Sequence, residues 1–229
     1  MHSKRVLWCL PVVLSVIVFS ATCALADIAS DVTLTSVDDV ENERVESLKA
    51  YVKSNKVKLE WQSDLMSFVL RSDLQHILHI YPSQATYAET DFGELYTTPF
   101  GPNPLVIAPG FGEPTVESID TGQTELIDGF TCKKYVINEI SSFRLLQYTI
   151  YATEELASSE NFASFFASET PLKYKPFEEM RRIPGMPLKI SISETIDGSS
   201  FSQTYKFSNY QETSLEESLF NLPEGYTLK

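Results

Sequence analysis

Cys132 is the residue best placed to do chemistry. It lies in IDGFTCKKYVI, residues 127–137, and is followed directly by Lys133 and Lys134. A thiol beside cations can act as a nucleophile if its pKa is lowered and a base is near. On an extended strand, however, alternation turns Lys133 to the opposite face, and no local signature adds a histidine. The histidines beyond residue 2 are His76 and His79. Their spacing separates them across a strand and would align them, beside Asp73, only on a helix. No cysteine pair or H-E-x-x-H motif accompanies them, so no metal site is indicated. Among Glu41, Glu43, Glu60, Glu89, Asp91, Glu94, Glu113 and Glu117 a glycosidase pair could hide, but 31 acidic residues make chance pairs common. There is no G-x-S-x-G elbow. Gly110-Phe111-Gly112 lacks the spacing of a phosphate loop, and no Walker pattern occurs. The sequence therefore predicts no catalytic residue, no metal and no cofactor. A hydrolase built on His79, a serine and a carboxylate is the weakest of the alternatives.

The amino-terminal segment decides how Cys132 is read. Lys4 and Arg5 precede an apolar run over residues 6–19, broken by Pro11, and Ala24-Leu25-Ala26 fits a cleavage site. This predicts a signal peptide over 1–26 and a single exported domain over 27–229, periplasmic or secreted. Cys23 raises the alternative of an outer-membrane lipoprotein, but Ser20 and Thr22 suit lipidation badly. Cleavage would remove Cys9 and Cys23 and leave Cys132 without an intrachain partner. In an oxidising compartment a lone thiol is best buried, so Cys132 is expected inside a strand. Loss of Lys4 and Arg5 takes the formal net charge from −13 to −15. Such a surface repels phosphate backbones, which argues against nucleic-acid partners; the missing phosphate loop argues against nucleotides.

The elements that would position these residues read mostly as strands. Residues 27–43 are acidic and polar and are expected to be a leader. Strands are expected over 44–52, 56–61, 65–71, 73–81 and 86–90. In KVKLEW, Val57, Leu59 and Trp61 share one face and Lys56, Lys58 and Glu60 the other, the pattern of a sheet with one wet face. The short links favour antiparallel pairing. Residues 97–115 are rich in proline and glycine and form a loop. Strands resume over 135–139 and 143–153, with Asp128-Gly129 as the turn ahead of them. Helices are expected over 157–169 and 177–183, the second stopped by Pro184. Strands over 188–196 and 201–210 flank a turn at Asp197-Gly198. No helix alternates with successive strands, so the fold class is mainly β with a minor helical part, an antiparallel sheet partly covered by one to three helices.

Several segments in order resemble a known family: YVKSNKVKLEW, VLRSDLQHILHIYPSQATYAE, IDGFTCKKYVI, PGMPLKISISET, TYKFSNYQE and LFNLPEGYTL. The chain is similar over roughly residues 45–228 to the DUF4412 family of exported bacterial proteins, which looks related to the LolA/LolB-like lipoprotein carriers. The matching positions are Arg71, Asp73, Tyr81, Pro82, Tyr87, Gly129, Lys133, Lys134, Phe220, Leu222, Pro223, Gly225 and Tyr226. The resemblance implies a curved antiparallel sheet or half-barrel closed by helices over an apolar cavity. It implies no catalytic residue. With the alternation, it points to a non-enzymatic binder of lipid, a lipoprotein acyl chain or another apolar envelope component, or a partner of an envelope protein. The expected lining is Val57, Leu59, Trp61, Phe68, Ile190, Ile192 and Tyr205. A structural or protein-interaction module with a filled core is the alternative.

Overall fold

The structure is a computed structural model. It describes residues 27–54, 56–63, 66–71, 73–74, 76–91, 97–98, 101–102, 115–142, 144–156, 175–196 and 198–229. The expected signal peptide, the 157–169 helix and most of the 97–115 loop lie outside these residues. The strands are β1 (Asp27–Val37), β2 (Glu43–Lys53), β3 (Lys56–Trp61), β4 (Ser67–Arg71), β5 (His76–Tyr81), β6 (Thr86–Asp91), β7 (Thr97–Thr98), β8 (Gly101–Pro102), β9 (Thr115–Ile127), β10 (Phe130–Ile140), β11 (Arg144–Thr153), β12 (Met186–Ile196), β13 (Ser199–Thr213) and β14 (Thr227–Leu228). Among the described residues one α-helix, α1 (Lys175–Met180), precedes β12.

Twelve strands join in one sheet of order β14-β6-β5-β4-β3-β2-β1-β13-β12-β11-β10-β9, while β7 and β8 pair separately. Each neighbouring pair in the large sheet is antiparallel except β14 with β6. The sheet is thus two meanders, β1 to β6 and β9 to β13, joined where β1 pairs with β13. Most links within the meanders are of a few residues, because adjacent antiparallel strands need only a tight turn; the exception is residues 154–185, which join β11 to β12 and carry α1. Asp128 and Gly129 both have positive φ, 48° and 91°, and join Ile127 directly to its partner Phe130. That is a two-residue turn whose twist matches the strands it connects.

Residues 27–37 are not a leader. They form β1, a central strand bonded on both sides. Ile28, Val32 and Leu34 are buried on it at alternate positions, with Ser30 between them. Asp27, Asp31 and the serines give the segment a polar composition while its alternate residues face the core. β9, for which no strand was expected, is one of the two terminal strands of the sheet among the described residues; most of its residues are exposed, so it carries no apolar alternation to read. The helix expected over 177–183 is formed over Lys175–Met180. After it, Gly185 (φ +92°) passes so close to Thr153 that a Cβ would lie 2.3 Å from that residue's carbonyl oxygen.

The expectation of one wet face fails on β4 and β5. Ser67, Phe68, Val69 and Leu70 are all buried, because the carboxy-terminal segment crosses the reverse side of these strands. Phe220, fully buried, packs there with Val69, Leu78 and Ile80. Arg71 donates to both carboxylate oxygens of Asp73, at 2.8 and 2.6 Å, and to Asn221 Oδ1 at 3.0 Å. The Leu215 amide donates to Asp27 Oδ2 at 2.9 Å. Lys53 bonds the Leu215 carbonyl, and Lys56 pairs with Glu217. β14 then adds to β6. Large-to-small changes at such a buried aromatic cost about 3 kcal/mol or more. Phe220→Ala is therefore expected to lower the urea midpoint by that equivalent, whereas Leu228→Ala, at an exposed position, leaves it nearly unchanged.

Candidate functional site

The broad apolar face is built row by row across the ladders. Residues opposite one another in register share a face. His79 faces Phe68, Phe68 faces Leu59 and Leu59 faces Ala50. Trp61 faces Leu48, Leu48 faces Val32 and Val32 faces Phe207. Leu34, Tyr205, Ile190, Ile150 and Tyr135 follow one another across β1, β13, β12, β11 and β10. Ile192, Tyr148 and Ile137 make a further row. Apart from His79 and Trp61, these side chains belong to one buried cluster, which also includes Met180 of α1 and Ile183. Trp61 is partly buried at its margin.

All seven residues expected to line a ligand site, Val57, Leu59, Trp61, Phe68, Ile190, Ile192 and Tyr205, fall on this one face. They stand in two groups, the first four on β3 and β4 and the other three on β12 and β13, with β2 and β1 between. Period-2 alternation sufficed to place them on one face.

An ionic group on the same face was missed. Arg144 Nη2 donates to Glu139 Oε1 at 2.9 Å, and its Nε lies 3.4 Å from Glu194 Oε1. The three side chains are only 11%, 5% and 13% exposed. Glu139 and Glu194 flank Leu146 across their ladders, and Arg144 is two residues before it. Each continues the alternation of buried apolar residues next to it, which is the signal that could have placed it. Buried charges are tolerated only when paired.

The chemically suggestive residues of the sequence are separated. His79 meets Phe68 edge-on with ring centroids 5.0 Å apart, and burial pushes its pKa below the usual value, favouring neutral imidazole. His76 lies on the other face, where Nδ1 is 3.0 Å from Glu89. Among the described residues no group of three or more histidine, cysteine or acidic side chains could hold a metal ion. Cys132 is fully buried in the apolar cluster. Burial first, then the nearby Glu125 and Glu155, push its thiol up to about 11. Lys133 turns outward to Glu154 at 2.8 Å. The thiol is thus neutral at physiological pH, the opposite of an activated nucleophile.

No family model matches the chain, and no curated protein matches it. Solved structures are similar at a distance. A structure of PNGF-II in the C2 space group is 12% identical with a TM-score of 0.40, covering 88% of this chain and 30% of that one; the chain thus spans less than a third of that protein. A LolA superfamily protein from Nitrosomonas europaea is 11% identical with a TM-score of 0.37, covering 86% and 91%. A DUF1329 family protein from Desulfovibrio piger is 10% identical with a TM-score of 0.38, covering 87% and 91%. No family follows from matches this distant, and the DUF4412 resemblance stands on its sequence motifs alone. Several of those motif residues, Arg71, Asp73, Tyr87, Phe220, Leu222 and Tyr226, gather where the carboxy-terminal segment crosses the sheet. Their role there is to hold that segment.

Two outcomes are expected. Cys132 reacts slowly with a thiol reagent in the folded protein and quickly in urea; fast labelling of the folded state contradicts its burial. Arg144→Ala removes the cation that bridges two buried carboxylates and lowers stability by about 3 kcal/mol in urea titration.

Proposed function

We propose that the protein is exported, to the periplasm or beyond, and binds an apolar ligand on the broad face of its sheet without catalysing a reaction. The ligand class is a lipid, a lipoprotein acyl chain or another apolar envelope component. One observation carries the reading: a single continuous apolar face crosses the β1–β13 seam, and the seven residues expected from the sequence all lie on it. Among the described residues its helical cover is one six-residue helix. Ligand sites are commonly apolar with a few placed polar groups, and the Glu139–Arg144–Glu194 group supplies polarity at one end of this face. The resemblance to exported carrier-like proteins adds to this, as analogy. Among the described residues, no helix is long and apolar enough to cross a membrane.

A filled core serving a structural or protein-interaction role is the second reading. It is favoured by Leu48, Ile137 and Leu146, whose exposure is 0%. The two readings separate in one experiment. Trp61 is the only tryptophan outside the expected signal peptide, and it borders the apolar cluster. On the binding reading, delipidated protein takes up palmitic acid or phosphatidylethanolamine in native mass measurements, and Trp61 emission shifts to the blue. Absence of both changes leaves the filled core.

A further inference from the structure

Tyr210 reaches the apolar face through a break in the seam between β1 and β13. The register runs to Asp31 opposite Ser208 and resumes with Ala29 opposite Gln211, so Asn209 and Tyr210 together stand against Ser30. Two residues against one is a β-bulge, a device that re-aims a side chain. Asn209 adopts φ +52°, and its amide donates to Asp31 Oδ2 at 2.8 Å, which holds the bulge. The re-aimed ring packs against the apolar cluster and meets Phe130 edge-on at 6.2 Å between centroids. Its hydroxyl oxygen is buried and has no hydrogen-bond partner among the described residues.

Phenylalanine would fill the same space without that cost, since burying an unpaired hydroxyl is unfavourable. Burial, with Asp128 and Cys132 nearby, pushes the phenol pKa well above its ordinary value, so the group is a neutral O–H with a proton to donate. Asp128, which acts on Tyr210 and Cys132 alike, is itself paired with Lys206 at 3.2 Å, and Glu125 near Cys132 with Lys189 at 3.2 Å. Burying an ionised carboxylate against the hydroxyl costs far more than burying an uncharged carbonyl, so an uncharged acceptor is favoured there.

Resting on the ligand-binding reading above, we propose that the Tyr210 hydroxyl donates a hydrogen bond to the bound ligand. The acceptor is the carbonyl of an acyl ester or amide. The bulge is then a built polar contact on the apolar face, away from the Arg144 group, and selects acylated molecules over plain hydrocarbons.

The test is displacement of Nile red from the purified protein by methyl laurate, tetradecane or laurate, in wild type and Tyr210→Phe. The expected result is that wild type binds methyl laurate more tightly than tetradecane or laurate. Tyr210→Phe then weakens methyl laurate alone, by about fivefold, the size of one neutral hydrogen bond. The unliganded variant melts at the same temperature as wild type or higher. The proposal is overturned if wild type binds these molecules and Tyr210→Phe changes all or none of them. A lower melting temperature of the unliganded variant also overturns it, because the hydroxyl would then have a partner within the protein. Failure of wild type to bind any of the three, or Nile red itself, is a different result; it sinks the ligand-binding reading and this proposal with it.

Discussion

Everything in this fold depends on the pairing of β1 with β13. Each meander alone is a sheet with an open edge where the other should be, and open edges present unpaired backbone donors and acceptors. The seam removes two edges at once and makes one apolar face from two. It brings Leu34 against Tyr205 and Val32 against Phe207, so the core is continuous only because the ladder is. Its contacts are among the most distant in sequence, Asp27 with Thr213. Ordering so much intervening chain carries an entropic cost, though that cost grows slowly with length. The bulge that turns Tyr210 inward lies in this same ladder.

The two faces of the sheet solve different problems. One is apolar from β5 to β10. The reverse is mostly polar across β10 to β13, where Ser191 and Thr204 bond across the ladder at 3.0 Å. It becomes apolar again only across β4 and β5, where Val69, Leu78 and Ile80 need cover. The carboxy-terminal segment supplies it. Arg71 does more than pair with Asp73: the bidentate contact fixes the guanidinium plane so that its remaining nitrogen reaches Asn221. That pairing also holds the Asp73 carboxyl below its ordinary pKa.

Much of this was legible in the sequence, and the failures have physical causes. KVKLEW announced itself because one face is wet and the other dry. The common apolar face of Val57, Leu59, Trp61, Phe68, Ile190, Ile192 and Tyr205 followed from the same contrast, and the Asp128-Gly129 turn from its demand for positive φ. β1 was missed because alternation was sought in hydrophobic residues, while Ser30 occupies a buried position between Ile28 and Val32. β9 was missed for the converse reason: an edge strand need not bury anything, so its pattern is nearly featureless. The double burial of β4 depends on residues 150 positions away and is invisible locally. The Arg144 group was passed over because charges were sought as catalytic clusters, not as continuations of an apolar row.

The carboxy-terminal crossing sets an order of events on the chain. Synthesis proceeds from the amino terminus, so β1 to β6 can pair early, while the outer edge of β1 waits for β13 and the back of β4 and β5 waits for Phe220. Until β13 and Phe220 emerge, the nascent meander carries an apolar patch on its back and an unpaired flank. A half-made chain of this kind is the form most exposed to aggregation and proteolysis, and it is the segment around Phe220 that ends that exposure.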